Sequence, residues 1–146
     1  MSPINYAYQS IARATKDHGT TKMFGLMGDA NLFMVDSFVR ECGGEFIPAA
    51  HEGSTILMAA AYAHVSGNVG VATVTHGPAL TNCVTTLVEA SRMHTPLVIL
   101  AGDTPVANPR HLQSIDQREL VKVTGAGFVQ LRSPTTVTED VAQAFY

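Results

Sequence analysis

The polar residues that could do chemistry stand at a few junctions of an otherwise apolar chain. Glu52, in His51-Glu52-Gly53, lies where a strand pattern gives way to ILMAAAYAHV, the most apolar helical stretch of the sequence. A carboxylate there is expected to be partly desolvated, which favours its protonated form. A carboxyl group poised to share a proton is a useful acid or hydrogen-bond partner. The plainer alternative is a first-turn glutamate that only complements the helix dipole, and position alone favours it. GPALTN, residues 77 to 82, reads as a turn feeding a helix. Backbone N–H groups at a helix start can hold an anion or a polar ring substituent, although a plain strand-to-helix turn has the same pattern.

Several other chemistries have no carrier in the sequence. There is no GxGxxG and no GxxxxGK[ST], so a dinucleotide or nucleoside triphosphate site is not expected. His51, His76, His94 and His111 are too scattered for a zinc spacing, and no metal site is expected in this chain. A lone loop histidine is more often solvated or used as a cap. No GxSxG marks a nucleophilic serine. Cys42 and Cys83 belong to no CxxC pair and read as free buried thiols of a reducing compartment.

Strands and helices must position these junctions. Ser2-Pro3 reads as a helix start, followed by Ile4, Ala7, Tyr8, Ile11 and Ala14 at helical spacing, with Gly19 as the stop. A strand is expected over Lys22 to Met27, then a helix with Leu32, Val35 and Val39 on one face, ending at Gly43-Gly44. Glu45 to Ala49 is the next strand, and the all-apolar helix after Glu52 ends at Gly67. A helix apolar all round is buried on all sides, here against a partner as well as its own sheet. Val69 to Val74 and Pro96 to Ala101 read as buried strands around a helical stripe of Leu80, Cys83, Val84, Leu87 and Val88. A short helix near Asp116 to Val121, a last strand over Gly127 to Leu131, and a helix from Thr136 to Tyr146 complete the pattern. Strand–helix alternation with continuously apolar strands predicts an α/β domain, a three-layer doubly wound parallel sheet. Ligands of such sheets bind beyond the carboxyl ends of the strands, where Gly28-Asp29, Glu52, Thr75 to Asn82 and Gly102-Asp103 collect.

Composition sets outer bounds. With 146 residues, 46% apolar and 14% charged, the chain has the size and core of one domain. A net charge of -3 gives no reason to expect nucleic acid or an anionic membrane as partner. The low charge fits a surface covered by another domain or subunit. No stretch has the length of a membrane span, and MSPINYAYQS lacks the basic and apolar regions of a signal peptide. Cytoplasm is the expected compartment.

Residues 51 to 105, from HEGSTILMAAAYAHV through THGPALTN to PLVILAGDTP, resemble the N-terminal, pyrimidine-binding domain of acetolactate synthase-like thiamine diphosphate enzymes. The likeness extends back to residue 2 and forward through HLQSIDQREL to about Tyr146. It implies one thiamine diphosphate-binding domain over residues 1 to 146, a fragment or subunit of a larger enzyme. By this resemblance Glu52 activates the cofactor by hydrogen-bonding a ring nitrogen of its aminopyrimidine. Thr75, His76, Gly77, Pro78 and Asn82 flank the cofactor, and Gln113 with His111 lies on the substrate side. GLMGDANL, residues 25 to 32, is similar to the GLPGDxNL of 2-oxo acid decarboxylases, which implies a catalytic Asp29. The chain departs from the family pattern at Ala61, His64 and Ala79, and His111 stands alone where those decarboxylases carry a histidine pair. The GDG…NN segment that holds the diphosphate and Mg2+ does not occur in the chain.

The resemblance therefore implies half of a site, acting on 2-oxo acids by carboligation or decarboxylation. The partner is a C-terminal diphosphate-binding domain or subunit, the assembly a homodimer or tetramer, and the isolated chain is expected to be inactive. FAD is compatible as a further cofactor. The contrasting expectation is a non-catalytic binding or assembly domain of the same fold, with Glu52 a vestige.

Overall fold

The computed structural model describes residues 6–146, and the expected cap at Ser2-Pro3 lies outside them. The first helix, α1, runs Ala7–Asp17. Its start is closed by the Gln9 side chain, whose Oε1 accepts from Tyr6 N at 3.1 Å. Strand β1 covers Lys22–Gly25, α2 Leu32–Arg40 and β2 Glu45–Pro48. Helix α3 runs Glu52–Ser66 and stops at Gly67, which takes the left-handed φ of 71° that a side chain disfavours. Strand β3 covers Gly70–Val74 and is buried throughout. Helices α4 (Pro78–Thr81) and α5 (Val84–Arg92) lead to β4, Leu97–Ala101. The chain then makes a long loop to α6 (Gln117–Lys122), capped by Asp116, and ends in α7, Val137–Phe145.

The four strands pair in the order β2-β1-β3-β4, every pair parallel. Side chains alternate across such a sheet with a period of two. Phe24, Ala72, Val74 and Ile99 thus meet α3, α5 and α6 through Ile56, Ala59, Leu87 and Val121. Their neighbours Met23, Val71 and Val98 meet α1 and α2 on the other face, through Ala12, Met34, Val35 and Phe38. Helix α7 adds Phe145 to that second core and packs Val137 and Val141 against Ala14 of α1. The result is the expected three-layer α/β arrangement. Among the described residues no helix is long and apolar enough to cross a membrane.

Three sequence expectations are corrected. The face of α2 was expected at Leu32, Val35 and Val39, yet Leu32 is 44% and Val39 39% exposed. The buried stripe is Met34, Val35, Ser37 and Phe38, shifted so that the largest ring reaches the sheet. The single helical stripe from Leu80 to Val88 is split into α4 and α5, which still bury Leu80, Cys83 and Leu87 together. The expected strand over 127 to 131 does not form. A strand needs a neighbour within ladder reach, about 4.8 Å. Here a cleft of about 760 Å3 lies between the segment 126–131 and β4, so neither wall pairs with the other.

The loop after α6 is tied to α7 by Asp140. Its carboxylate accepts from Arg132 N (2.9 Å), Arg132 Nε (2.7 Å) and Thr136 Oγ1 (2.8 Å). The Arg132 backbone N–H, then its guanidinium, hold this carboxyl below the ordinary carboxylate range. Stability contributed by a lowered folded-state value is present above the unfolded value and is lost as pH falls through the folded one. Urea midpoints of the chain should therefore fall with acidification below the usual carboxylate range, and Asp140→Asn should flatten that fall. Phe38, fully buried at 0% exposure, makes a second test. Phe38→Ala should lower unfolding stability by about 3–5 kcal/mol in the same titration.

Candidate functional site

Because all strands are parallel, their carboxyl ends share one edge. The loops after β1, β2, β3 and β4 leave the sheet there. The chain order also reverses at this edge, since β2 and β3 flank β1 on opposite sides. In doubly wound sheets ligands bind at such a switch point, beyond the carboxyl ends of the strands.

The β1 loop is shaped by Asn31, the asparagine of the GLMGDANL segment, to which the sequence assigns no role of its own. Asn31 is 3% exposed. Its Oδ1 accepts from Gly28 N at 2.7 Å, while its Nδ2 donates to Leu26 O (3.2 Å) and Thr73 Oγ1 (3.1 Å). These bonds end β1 at Gly25 rather than at Met27 and fold residues 28 to 31 over the end of β3. An Asn three residues after a Gly is a local signal for such a turn. Its bond to Thr73, 42 residues away, had none.

Asp29, on the loop so formed, meets the first residues after β3. Thr75 Oγ1 donates to Asp29 Oδ1 at 3.2 Å and accepts from Ala30 N at 3.3 Å. His76 Nε2 lies 3.5 Å from the same Asp29 oxygen. His76 is 3% exposed. The His111 ring stacks obliquely on it, with centroids 5.3 Å apart. His111 Nδ1 in turn accepts from Gln113 N at 3.2 Å. Gly77 takes φ 55° and ψ -108°, outside the range open to L side chains. A Cβ there would stand 1.9 Å from Gln113 O, so the 111–113 loop closes onto bare backbone. Pro78 opens α4 directly after it.

Glu52 is the first residue of α3 and is half-buried. Asn82 Nδ2 donates to Glu52 Oε2 at 2.9 Å. His51 is the N-cap: its Nδ1 accepts from Gly53 N at 3.1 Å. Cys83, next to Asn82, is buried and has its thiol pushed up to about 12, first by burial and then by the Glu52 charge. It is an inert core residue beside a carboxylate, not a nucleophile. Cys42 is free as well, but half-buried rather than buried.

The structure thus forms two polar groups at one edge. Asp29, Thr75, His76 and His111 make one, and Glu52 with Asn82 the other. The segment from Thr75 to Asn82 belongs to both, with Gly77 and Pro78 as its bend. Gln113 reaches this edge through its backbone. Among the described residues no three His, Cys, Asp or Glu side chains stand together as a metal site.

The family described as thiamine pyrophosphate enzyme, N-terminal TPP binding domain, matches residues 6–120. Acetolactate synthase of Bacillus subtilis is 33% identical over 143 residues, covering 97% of this chain and 25% of that protein. 2-Hydroxyacyl-CoA lyase 2 of Danio rerio is 34% identical over 116 residues, 78% of this chain and 18% of that protein. Sulfoacetaldehyde acetyltransferase of Castellaniella defragrans is 40% identical over 92 residues, 61% of this chain and 15% of that protein. The chain spans a quarter or less of the length of these relatives. The match takes in Asp29, Glu52, the whole of the 75–82 segment and the 111–113 loop, and the chain belongs to the N-terminal TPP-binding domain family of thiamine pyrophosphate enzymes.

Proposed function

We propose that this domain supplies the pyrimidine side of a thiamine diphosphate site in an enzyme acting on 2-oxo acids, by carboligation or decarboxylation. The observation that carries the reading is the Glu52–Asn82 pair. Asn82 engages Glu52 Oε2, and Oε1 has no partner among the described residues. One oxygen is held and the other is available, which suits a carboxyl group that shares a proton with a ring nitrogen. The half-buried position limits competition from water, and the start of α3 fixes the backbone beneath it. The cofactor, when bound, supplies an electron sink for the carbonyl carbon under attack.

The remaining roles follow from place. Thr75, His76, Gly77 and Pro78 form the wall beside the pyrimidine. Asp29 presents its carboxylate on the substrate side, with His111 and Gln113 across from it. The diphosphate and its Mg2+ fall to a C-terminal domain or subunit in this reading. The lengths of the relatives support such a partner. Helix α3 offers a docking face for the assembly. Leu57 is 49% and Val65 86% exposed, and they share one side of the helix with Ala61, at i, i+4 and i+8. A homodimer or tetramer through this face accounts for a helix apolar on both its inner and its outer side.

Two experiments test the reading. In the assembled holoenzyme, Glu52→Gln should retain cofactor binding, because the amide keeps shape and one hydrogen bond. It should slow exchange of the cofactor's acidic carbon-bound hydrogen about a hundredfold or more, measured by NMR in deuterated solvent. Normal exchange would leave a non-catalytic assembly domain as the better account. For the docking face, Leu57→Glu with Val65→Glu should shift sedimentation toward the monomer with unchanged circular dichroism. Unaltered association would remove α3 from the interface.

A further inference from the structure

Asp29 is an exposed carboxylate on a loop: 74% of its side chain is open to solvent. An aspartate so placed samples several rotamers, and fixing one of them has an entropic cost. Both of its contacts nonetheless converge on one oxygen. Thr75 Oγ1 donates to Oδ1 at 3.2 Å, and His76 Nε2 stands 3.5 Å from Oδ1. Oδ2 has no partner among the described residues.

The two anchors differ in kind. Thr75 shares its hydroxyl with the loop it touches, accepting from Ala30 N. His76 belongs to the core side of the site. It follows the wholly buried β3, is 3% exposed itself, and has the His111 ring against it. The next residue, Gly77, takes φ 55° close against the Gln113 carbonyl, where a side chain would not fit. The ring's other nitrogen, Nδ1, is buried and has no hydrogen-bond partner. That orphan fixes the tautomer. An orphaned buried N–H is rarer and costlier than a bare acceptor, so the ring proton belongs on Nε2, toward the carboxylate. The titratable groups around the imidazole are then Asp29, from the β1 loop, and His111, from the loop after β4.

We propose that His76 is the positioning residue of Asp29 and that, with Thr75, it makes this carboxyl group one-sided. Thr75 donates to Oδ1, and the imidazole Nε2 stands beside the same atom, 3.5 Å away. A proton carried by Asp29 therefore sits on Oδ2, the oxygen that faces outward. Proton exchange with a bound substrate runs through that atom alone. His76 does not touch the substrate; it acts by holding Asp29, and without it the carboxylate swings between rotamers. The proposal rests on the reading of Asp29 as the substrate-side acid, and it gives His76 a task toward the substrate side in addition to its place beside the pyrimidine.

The first test needs no activity. In the 15N-histidine-labelled chain, side-chain NMR should find neutral His76 in the Nε2–H form, and Asp29→Asn should shift its tautomer balance or quicken exchange of that proton. An Nδ1–H form, or a spectrum indifferent to Asp29→Asn, overturns the proposal. The second test is a double-mutant cycle in the assembled holoenzyme. His76→Leu should lower kcat for product formation about tenfold or more with little change in KM. His76→Gln, whose amide can place a donor near the former Nε2, should recover most of that loss. Combining His76→Leu with Asp29→Asn should be no worse than Asp29→Asn alone. Losses that multiply, or a glutamine variant no better than the leucine one, would show His76 to be packing only. Failure of the Glu52→Gln exchange experiment would remove the cofactor reading, while the NMR result on His76 and Asp29 would stand by itself.

Discussion

The amide of Asn31, itself 3% exposed, satisfies Gly28 N, Leu26 O and Thr73 Oγ1 at once. Thr73 passes the connection on by donating to Leu100 O at 2.8 Å. A chain of buried and part-buried hydrogen bonds thus runs from the β1 loop through β3 to β4. In a low-dielectric interior such bonds strengthen one another, and breaking any of them strands a polar group without solvent. The position of Asp29 depends on this chain. So does the fold of the β1 loop over Thr75: Leu26 N still donates to Thr73 O of β3, while Leu26 O and Gly28 N turn to the Asn31 amide.

The 75–82 segment then serves both polar groups with one bend. Its first residues turn toward Asp29 and its last toward Glu52. The left-handed glycine between them sets the angle, and the 111–113 backbone pressed on that glycine keeps it. Neither carboxylate contacts the other's group directly. Their relation is carried by eight residues of backbone, half of them in the single turn of α4. A rigid, short connector lets each polar group hold its own geometry at the same edge of the sheet.

Much of this was legible in the sequence, and the reasons differ from residue to residue. The parallel sheet followed from continuously apolar strands such as Gly70–Val74, because only a sheet covered on both faces needs them. Gly67 and the Gly77-Pro78 bend carried their own backbone chemistry. Glu52 was ambiguous until a whole motif surrounded it; the pairing with Asn82 adds geometry, not identity. The contact of His76 with Asp29 could not be read, since 47 positions separate them and only the fold brings them together. Leu32 and Val39 misled because a run of apolar residues around α2 allows more than one stripe, and the bulk of Phe38 decides which faces inward. The strand expected at 127 to 131 failed for a tertiary reason: its composition is suitable, but pairing is a property of two segments, not one.

That unpaired stretch leaves β4 with one side of its ladder open along Leu97–Ala101. Proteins usually blunt such a border with a lysine, a proline or a bulge. Here the run is LVILA, with Pro96 only at its head and no charge within it. Such a border is a template for any extended chain that drifts against it, another copy included. If segment 126–131 and α7, which line the cleft beside it, drew back, this border would be where another extended chain could add to the sheet.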